Sequence, residues 1–547
     1  MSDTANCREI QCEPYSDQQP GTAGLRKKVK VFRQPHYLES FLEAIFRTVK
    51  IAPGSALVVG GDGRYMNRES IPVIAGLAAA HGVGRIITGL DGRLSTPAAS
   101  HLIRDRQAAG GLLLTASHNP GGPDGDFGLK FNTATGGQAP EATAEAIYAA
   151  SQSITSYRLC DLPELPLSAL GEHDLGDILL EVVDSAAGYA ALMETLFDFD
   201  RMADWLRQGN EVAFDALHAV TGPYAREIFC RRLGAAETAV LNAEPLPDFG
   251  GFHPDPNPVD CAHLVELSRS PNSPALVAAS DGDGDRNMIL GPGMMVSPCD
   301  SIAVMLHHAD KLPGYRDGVP GVARSMPTSR AVDMVAEALG IPCFETPTGW
   351  RFFCNLLEAG RIGLCGEESF GTGSSHTREK DGLWAVLFWM NLLAELRMGL
   401  DDVVRDHWRR YGRHYYQRQD FYIEDADRAR ALVEALRAGL PGLPGRQLDG
   451  TSITAADDFH YRDPVDGSES ANQGIRVELA DGGRIVYRLS GTGTTGATLR
   501  VYLEQYTPAD GQLEQQVATA LAPLASRAAE LGQIEEFTGL KAPTASI

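Results

Sequence analysis

Three aspartates alternate with two glycines in Asp281-Gly282-Asp283-Gly284-Asp285-Arg286, directly after the apolar run Ala275 to Ser280. Alternation along an extended segment turns all three carboxylates to one side. Three hard oxygen ligands of that kind suit Mg²⁺ or another hard divalent ion. The segment is not an EF-hand loop, which requires Gly at its sixth position and Glu at its twelfth; here those are Arg286 and Pro292. A solvated acidic turn is the plain alternative, but three like charges so close together call for a cation.

A second apolar run, Leu112 to Leu114, ends in Thr115-Ala116-Ser117-His118-Asn119-Pro120-Gly121-Gly122. Asn-Pro and Gly-Gly force a turn, so a buried strand delivers the Ser117 hydroxyl to a tight loop with His118 beside it. Serine also favours turns for local hydrogen-bonding reasons, and position alone does not separate that reading from a nucleophile. Near the C-terminus, Leu489-Ser490-Gly491-Thr492-Gly493-Thr494-Thr495-Gly496 contains the spacing Gly-x-Gly-x-x-Gly. The dinucleotide fingerprint needs a helix next, whereas residues 497–504 alternate like a strand. Backbone N–H groups and hydroxyls can still bind phosphate there, with Arg488 and Arg500 supplying charge-assisted bonds. Gly366-Glu367-Glu368-Ser369-Phe370-Gly371, with Thr348 and Gly349 as neighbours, suits vicinal sugar hydroxyls. Gly21-Thr22-Ala23-Gly24-Leu25-Arg26 opens a basic stretch that reads as a phosphate-facing loop or as a solvated turn. A nucleophilic hydroxyl, a hard-metal loop, a hydroxyl-reading loop and a phosphate clamp are together what phosphoryl transfer through a serine requires.

These segments need elements to hold them. Strand signals at 55–60, 83–89 and 112–114 alternate with helical stretches at 70–81 and 97–105, the βαβ signature of a largely parallel sheet. In such sheets ligands collect at the carboxyl ends of the strands, which is where Ser117 falls. The alternation continues through strands at 211–215, 275–280, 321–325 and 361–365, to about residue 400. Residues 405–418 are basic and aromatic and read as a linker running into a first strand. Residues 474–504 read as an antiparallel hairpin with a return strand, turning at Asp481-Gly482-Gly483. Leu383 to Met390 reads as a buried helix, too short to span a bilayer. A length of 547 residues fits three to four domains.

Seventy-one acidic against 48 basic residues give a net charge of −23, which argues against nucleic-acid and anionic-membrane partners. A local cluster of cations can still serve an anionic small substrate. Nine cysteines without C-x-x-C spacing fit reduced thiols rather than a disulfide framework. The first residues lack the basic-then-apolar pattern of a signal peptide, so a cytoplasmic protein is expected. Walker A, H-E-x-x-H and G-x-S-x-G motifs are lacking.

Taken in order, 115–122, 281–286, 366–371 and 488–493 resemble the α-D-phosphohexomutases, and the resemblance covers nearly the whole chain. The longer wordings at 20–32, 122–132 and 378–387 are similar to the glucose-phosphate mutases within that family. The resemblance implies an α/β fold of heart-shaped, four-domain architecture. Three doubly wound α/β domains and a C-terminal α+β domain would surround a central cleft. It implies domain I over 1–185 with a phosphoserine loop, domain II over 186–300 with the metal loop, domain III over 301–400 with the sugar loop, and domain IV over 401–547 with the phosphate loop. It implies an isomerase, an intramolecular phosphotransferase interconverting α-D-glucose 1-phosphate and glucose 6-phosphate. Ser117 would carry the phosphoryl group, and glucose 1,6-bisphosphate would be intermediate and activator. Mg²⁺ would be held by Asp281, Asp283, Asp285 and an oxygen of phosphorylated Ser117. Arg26, His118, Lys130, Arg286 and Lys380 would supply positive charge near the reacting phosphate, Arg26 counting with Ser117, His118, Lys130 and Lys380 as catalytic, and one or more of His118, Lys130 and Lys380 as general acid or base. Thr22 and Asp285 would join the substrate-binding set. Thr348, Gly349, Glu367 and Ser369 would read the sugar. Arg488, Ser490, Gly491, Thr492, Gly493 and Arg500 would hold the non-reacting phosphate. A hinge near 398–412, a monomeric state and a cytoplasmic location complete the expectation. A mutase of another sugar phosphate and a non-catalytic phosphoprotein are the rival readings.

Overall fold

The structure, a computed structural model, describes residues 7–21, 23–490 and 496–547. Gly110–Leu114 is buried along its whole length and lies inside a seven-stranded sheet. It pairs parallel with Ala56–Gly61, and Arg85–Gly89 and Leu179–Val183 continue in the same direction. Strands covered on both faces are unbroken apolar runs, as Leu112 to Leu114 are. On its other side the strand pairs antiparallel with Asp126–Thr133, which carries Leu25–Lys28 at the edge. The helix Thr96–Asp105, which leads into Gly110–Leu114, starts where the sequence says it should. The Ser95 side chain accepts the Ala98 N–H and a proline occupies the first turn.

Two smaller sheets repeat this plan. In the second, Val240–Leu241, Val212–Asp215 and Leu276–Ser280 are parallel, and Asn287–Gly291 adds antiparallel. In the third, Cys343–Thr346, Val322–Ser325 and Leu364–Glu367 are parallel, and Gly371–Ser374 adds antiparallel. The last large sheet has seven strands, all antiparallel, with helices Ala426–Gly439 and Val517–Leu531 packed on it. In all four sheets one antiparallel hairpin carries a loop singled out by its chemistry. Ser117 lies between Gly110–Leu114 and Asp126–Thr133, the aspartates between Leu276–Ser280 and Asn287–Gly291, Ser369 between Leu364–Glu367 and Gly371–Ser374, and residues 491–496 between Gly483–Ser490 and Ala497–Thr507. The chain thus combines three mixed α/β sheets with a C-terminal α+β unit.

Helix Gly382–Leu396 buries 13 of its 15 residues and packs on strands of both the second and the third sheet. One apolar cluster therefore runs through both units, from Tyr189 to Trp408. A helix apolar on all sides belongs in such a place. Among the described residues no single helix is long and apolar enough to cross a membrane.

Two expectations are corrected. Residues 405–411 are not a linker: helix Leu400–Tyr411 runs through them and ends at Gly412, whose φ of 79° breaks it. Leu400, Val403, Val404, His407 and Trp408 recur at helical spacing and are buried on one side, so helix also occupies most of the expected hinge. Nor are all thiols reduced. Cys7 and Cys160 face each other across the antiparallel pair Cys7–Gln11 and Ser156–Cys160 and are joined by a disulfide, leaving seven free cysteines.

Candidate active site

Ser117 occupies a backbone conformation that side chains disfavour, with φ 54°. Such a position costs about 1–3 kcal/mol and persists only if the surroundings enforce it. They do so from two sides. Its N–H donates to Thr115 Oγ1 at 2.7 Å, and Arg64 Nη2 donates to its carbonyl oxygen at 2.7 Å. Thr115 in turn donates to Asp62 Oδ2 at 2.6 Å, and Asp62 pairs with Arg64 at 2.9 Å, both fully buried. Gly282 approaches so closely that a Cβ there would collide with the Ser117 carbonyl.

The hydroxyl so placed donates to Asp281 Oδ2 at 3.1 Å. Arg286 is the hub. Its Nη1 donates to Ser117 Oγ at 2.7 Å, to His118 Nδ1 at 2.5 Å and to Asp281 Oδ2 at 3.1 Å, while its Nε donates to the Ser369 carbonyl at 3.1 Å. One guanidinium thus joins the serine loop, the aspartate loop and the Glu-Glu-Ser loop. Arg26, on the edge strand Leu25–Lys28, is half-buried near Asp283 and Asp285.

Asp281, Asp283 and Asp285 bring carboxylate oxygens within 4.8 Å of one another, all buried. Asp281 Oδ1 accepts the N–H groups of Asp285 and Arg286, and Asp283 Oδ2 accepts the Thr96 hydroxyl at 2.7 Å. Asp283 Oδ1 and Asp285 Oδ1 are buried without a hydrogen-bond partner among the described residues. Buried oxygens left empty are costly, and a hard divalent cation is the partner their chemistry suits. Burial and the two neighbouring carboxylates push Asp281 well above the usual carboxylate range. Burial would raise Asp285 as well, but Lys380 at 3.4 Å, Arg286, Lys130 and Arg26 hold it low.

The cations differ in state. Burial lowers His118 far below the usual imidazole value, with Arg286 and Arg26 adding to it, so the ring is neutral at pH 7. Burial opposes the charge on Lys130, yet Glu379 at 3.1 Å, with Asp283 and Asp285, raises its value. Lys130 is therefore a fixed cation. Glu379 also accepts from Asn132 and Gln138. Gly349 donates its N–H to Glu367 at 3.1 Å, and burial raises Glu367. The Thr348 hydroxyl is buried without a partner among the described residues.

Arg488, Ser490 and Arg500 stand apart from this cluster, on neighbouring strands of the C-terminal sheet. Arg488 is directly opposite Arg500, and Ser490 opposite Thr498. Both arginines, with Arg418, lie near Tyr502, which burial and Glu368 raise. Thr22, Gly491, Thr492 and Gly493 lie outside the described residues. Sequence reasoning missed the Asp62–Arg64–Thr115 brace, the Glu379 anchor and Thr96. The pair Asp-x-Arg at a glycine-flanked strand end was the one available signal for the brace.

The four parts of the chain match four family models. They are phosphoglucomutase/phosphomannomutase α/β/α domain I over residues 17–158, domain II over 188–293 and domain III over 298–411, and the C-terminal domain of phosphoglucomutase-1 over 413–544. A phosphoglucomutase of Rhizobium radiobacter is 52% identical over 98% of this chain and 99% of its own length. Human phosphoglucomutase-1 is 47% identical over 98% of each chain. The crystal structure of the Paramecium exocytosis-sensitive phosphoprotein pp63/parafusin, described as a phosphoglucomutase in open form, superimposes with a TM-score of 0.92. It is 43% identical and covers 99% of each chain.

Proposed function

From the premise that this chain belongs to the phosphoglucomutase/phosphomannomutase family, we propose that it interconverts α-D-glucose 1-phosphate and glucose 6-phosphate by way of a phosphorylated Ser117 and glucose 1,6-bisphosphate. The observation that carries this reading is the Ser117 hydroxyl held between Asp281 and Arg286 over three buried aspartates.

Asp281, Asp283 and Asp285, with a phosphoryl oxygen on Ser117, would hold Mg²⁺, which when bound neutralises charge on the transferring group. Arg286 and Arg26 bring positive charge to the same oxygens. Lys130, locked as a cation by Glu379, acts through its charge. Proton transfer to and from the sugar hydroxyl falls to His118 and Lys380. Thr348, Gly349, Glu367 and Ser369 read the sugar. Thr22, Asp285, Arg286, Arg488, Ser490, Gly491, Thr492, Gly493 and Arg500 complete the binding set, the C-terminal members holding the phosphate that does not react. The intermediate turns over so that each phosphate visits Ser117. The domain limits 1–185, 186–300, 301–400 and 401–547 serve this division of labour. The acidic charge of −23 speaks against a nucleic-acid or anionic-membrane partner, and a monomer in the cytoplasm is part of the proposal.

The test is a coupled assay with Mg²⁺ and catalytic glucose 1,6-bisphosphate, run across glucose, mannose and ribose phosphates. Glucose 1-phosphate is expected to be the best substrate, and activity confined to another sugar would reassign it. Ser117→Ala is expected to lower turnover at least about a thousandfold and to remove the phosphoryl group from the intact mass of the purified protein. Unchanged turnover in that variant would refute the nucleophile.

A further inference from the structure

Behind the active site five side chains form one buried hydrogen-bonded chain. Trp384 Nε1 lies 2.7 Å from Tyr315 Oη, Tyr315 Oη 2.7 Å from Ser374 Oγ, Ser374 Oγ 2.7 Å from His376 Nδ1, and His376 Nε2 2.9 Å from Asp381 Oδ2. The last three are a serine, a histidine and a carboxylate in the order of a hydrolytic triad. Ser374 and Asp381 are fully buried, and the His376 side chain is 1% exposed.

An indole N–H can only donate, so Trp384 donates to the Tyr315 hydroxyl. Ser374 Oγ is then in hydrogen-bond contact with both Tyr315 Oη and His376 Nδ1, and the other ring nitrogen of His376 meets Asp381 Oδ2. The other carboxylate oxygen, Asp381 Oδ1, accepts from Tyr189 Oη at 2.6 Å and from the Trp384 backbone N–H at 3.0 Å. The Ser374 hydroxyl is enclosed, with Tyr315 and His376 as its hydrogen-bond neighbours, so no substrate reaches it.

The chain instead closes a loop. His376 and Asp381 are its two ends, and between them stand Arg378, Glu379 and Lys380. Arg378 N–H donates to Ser100 Oγ, Glu379 accepts from Lys130, and Lys380 faces Asp285. The Asp381 N–H is fixed to the Thr372 carbonyl, and the Gly382 N–H to the carbonyl of Gly284 in the aspartate loop. We infer that His376 is a positioning residue: its bond to Asp381 clasps the loop 376–381 and sets Lys380 against Asp285, so the Ser374–His376–Asp381 chain serves the Ser117 reaction from behind instead of being a second nucleophile. The inference rests on the reading of Lys380 as part of the mutase site.

A double-mutant cycle in the full-length enzyme separates positioning from mere support of the fold. Lys380→Met is expected to lower kcat about a hundredfold. His376→Asn is expected to lower kcat about ten- to a hundredfold, with KM changed less than about threefold. Placed together, the two are expected to cost no more than Lys380→Met alone, because His376 acts through that lysine. Equal fold-losses from His376→Asn in both backgrounds would overturn the clasp. An unchanged kcat in Lys380→Met would overturn the reading of the site, and the clasp with it. If His376→Asn does not fold, Tyr315→Phe, which breaks the same chain two links away, takes its place in the cycle. A fluorophosphonate probe is expected to leave Ser374 unlabelled, and labelling there would make it a nucleophile and end the proposal.

Discussion

Ser117 is held in its left-handed backbone by groups that never meet its hydroxyl. Arg64 grips its carbonyl oxygen, Thr115 its N–H, and Asp62 both of these side chains. Because Asp62 and Arg64 are both fully buried, removing one charge strands the other. Asp62→Asn is therefore expected to destabilise the N-terminal unit by about 3–5 kcal/mol. It should also lower kcat more than it raises KM, which urea unfolding and steady-state kinetics read separately. Unfolding and kinetics indistinguishable from the parent would show that the brace does not hold the serine. The residues that proved legible in the sequence are those whose meaning is local. Three aspartates two apart stand out by their spacing, whereas a serine beside Asn-Pro-Gly-Gly gains its meaning only from the other loops. Asp62 and Thr115 lie far apart in the chain and meet only because Ala56–Gly61 and Gly110–Leu114 are neighbouring strands. Lys130 and Glu379 meet across two units. No spacing encodes such pairs.

At the scale of elements, the four hairpins repeat one plan without a fixed sequence period. Their loops differ in length and chemistry, and only the strand pairing recurs. Helix Leu400–Tyr411 sets a buried stripe at helical spacing among charged and aromatic residues, a composition that by itself reads as a linker. That helix packs on Pro298–His308 and buries a group of imidazoles between them. Burial lowers His308 to about 4 and His407 to about 3, and both Nδ1 atoms are buried without a partner among the described residues. Both rings are neutral in the folded protein, while in the unfolded chain they take up a proton near pH 6.5. The unfolded state thus binds more protons below that pH, so the stability these rings lend is complete above about 6.5 and declines as pH falls toward about 4 and then about 3. At pH 5, His407 alone is expected to cost about 2 kcal/mol relative to pH 7. His407→Gln, which does not titrate, should flatten the acid limb of stability measured by denaturant unfolding. An identical acid limb would mean the ring does not report this contact.

Across the whole molecule, the C-terminal unit meets the third through an apolar cluster of Met326 with Phe459, Tyr461, Val486 and Tyr502, and through a network of charges. Glu504 accepts from the Arg330 N–H at 2.8 Å, from His414 at 2.7 Å and from Arg484 at 3.0 Å, and Arg484 reaches back to the Met326 and Thr328 carbonyls. Burial would raise Glu504, but His414, Arg484 and Arg330 hold it well below the usual range. Glu504→Gln is expected to weaken this junction by about 3–5 kcal/mol. In small-angle scattering it should enlarge the molecule, and, if the proposed phosphate clamp rides on that unit, it should raise KM for glucose 1-phosphate more than it lowers kcat. An unchanged scattering profile and KM would place the attachment elsewhere. At the other end of the chain, the link between Cys7 and Cys160 has a topological meaning. It turns 153 residues of separation into a closed ring that contains Arg26, Ser117 and Lys130. A ring survives a single cut. Limited proteolysis at the exposed bend Ala52-Pro53-Gly54 should yield two pieces that migrate as one band without reductant and part only when thiol is added, so that the serine loop stays tethered to a severed backbone. Fragments that separate without reductant would show the ring to be open.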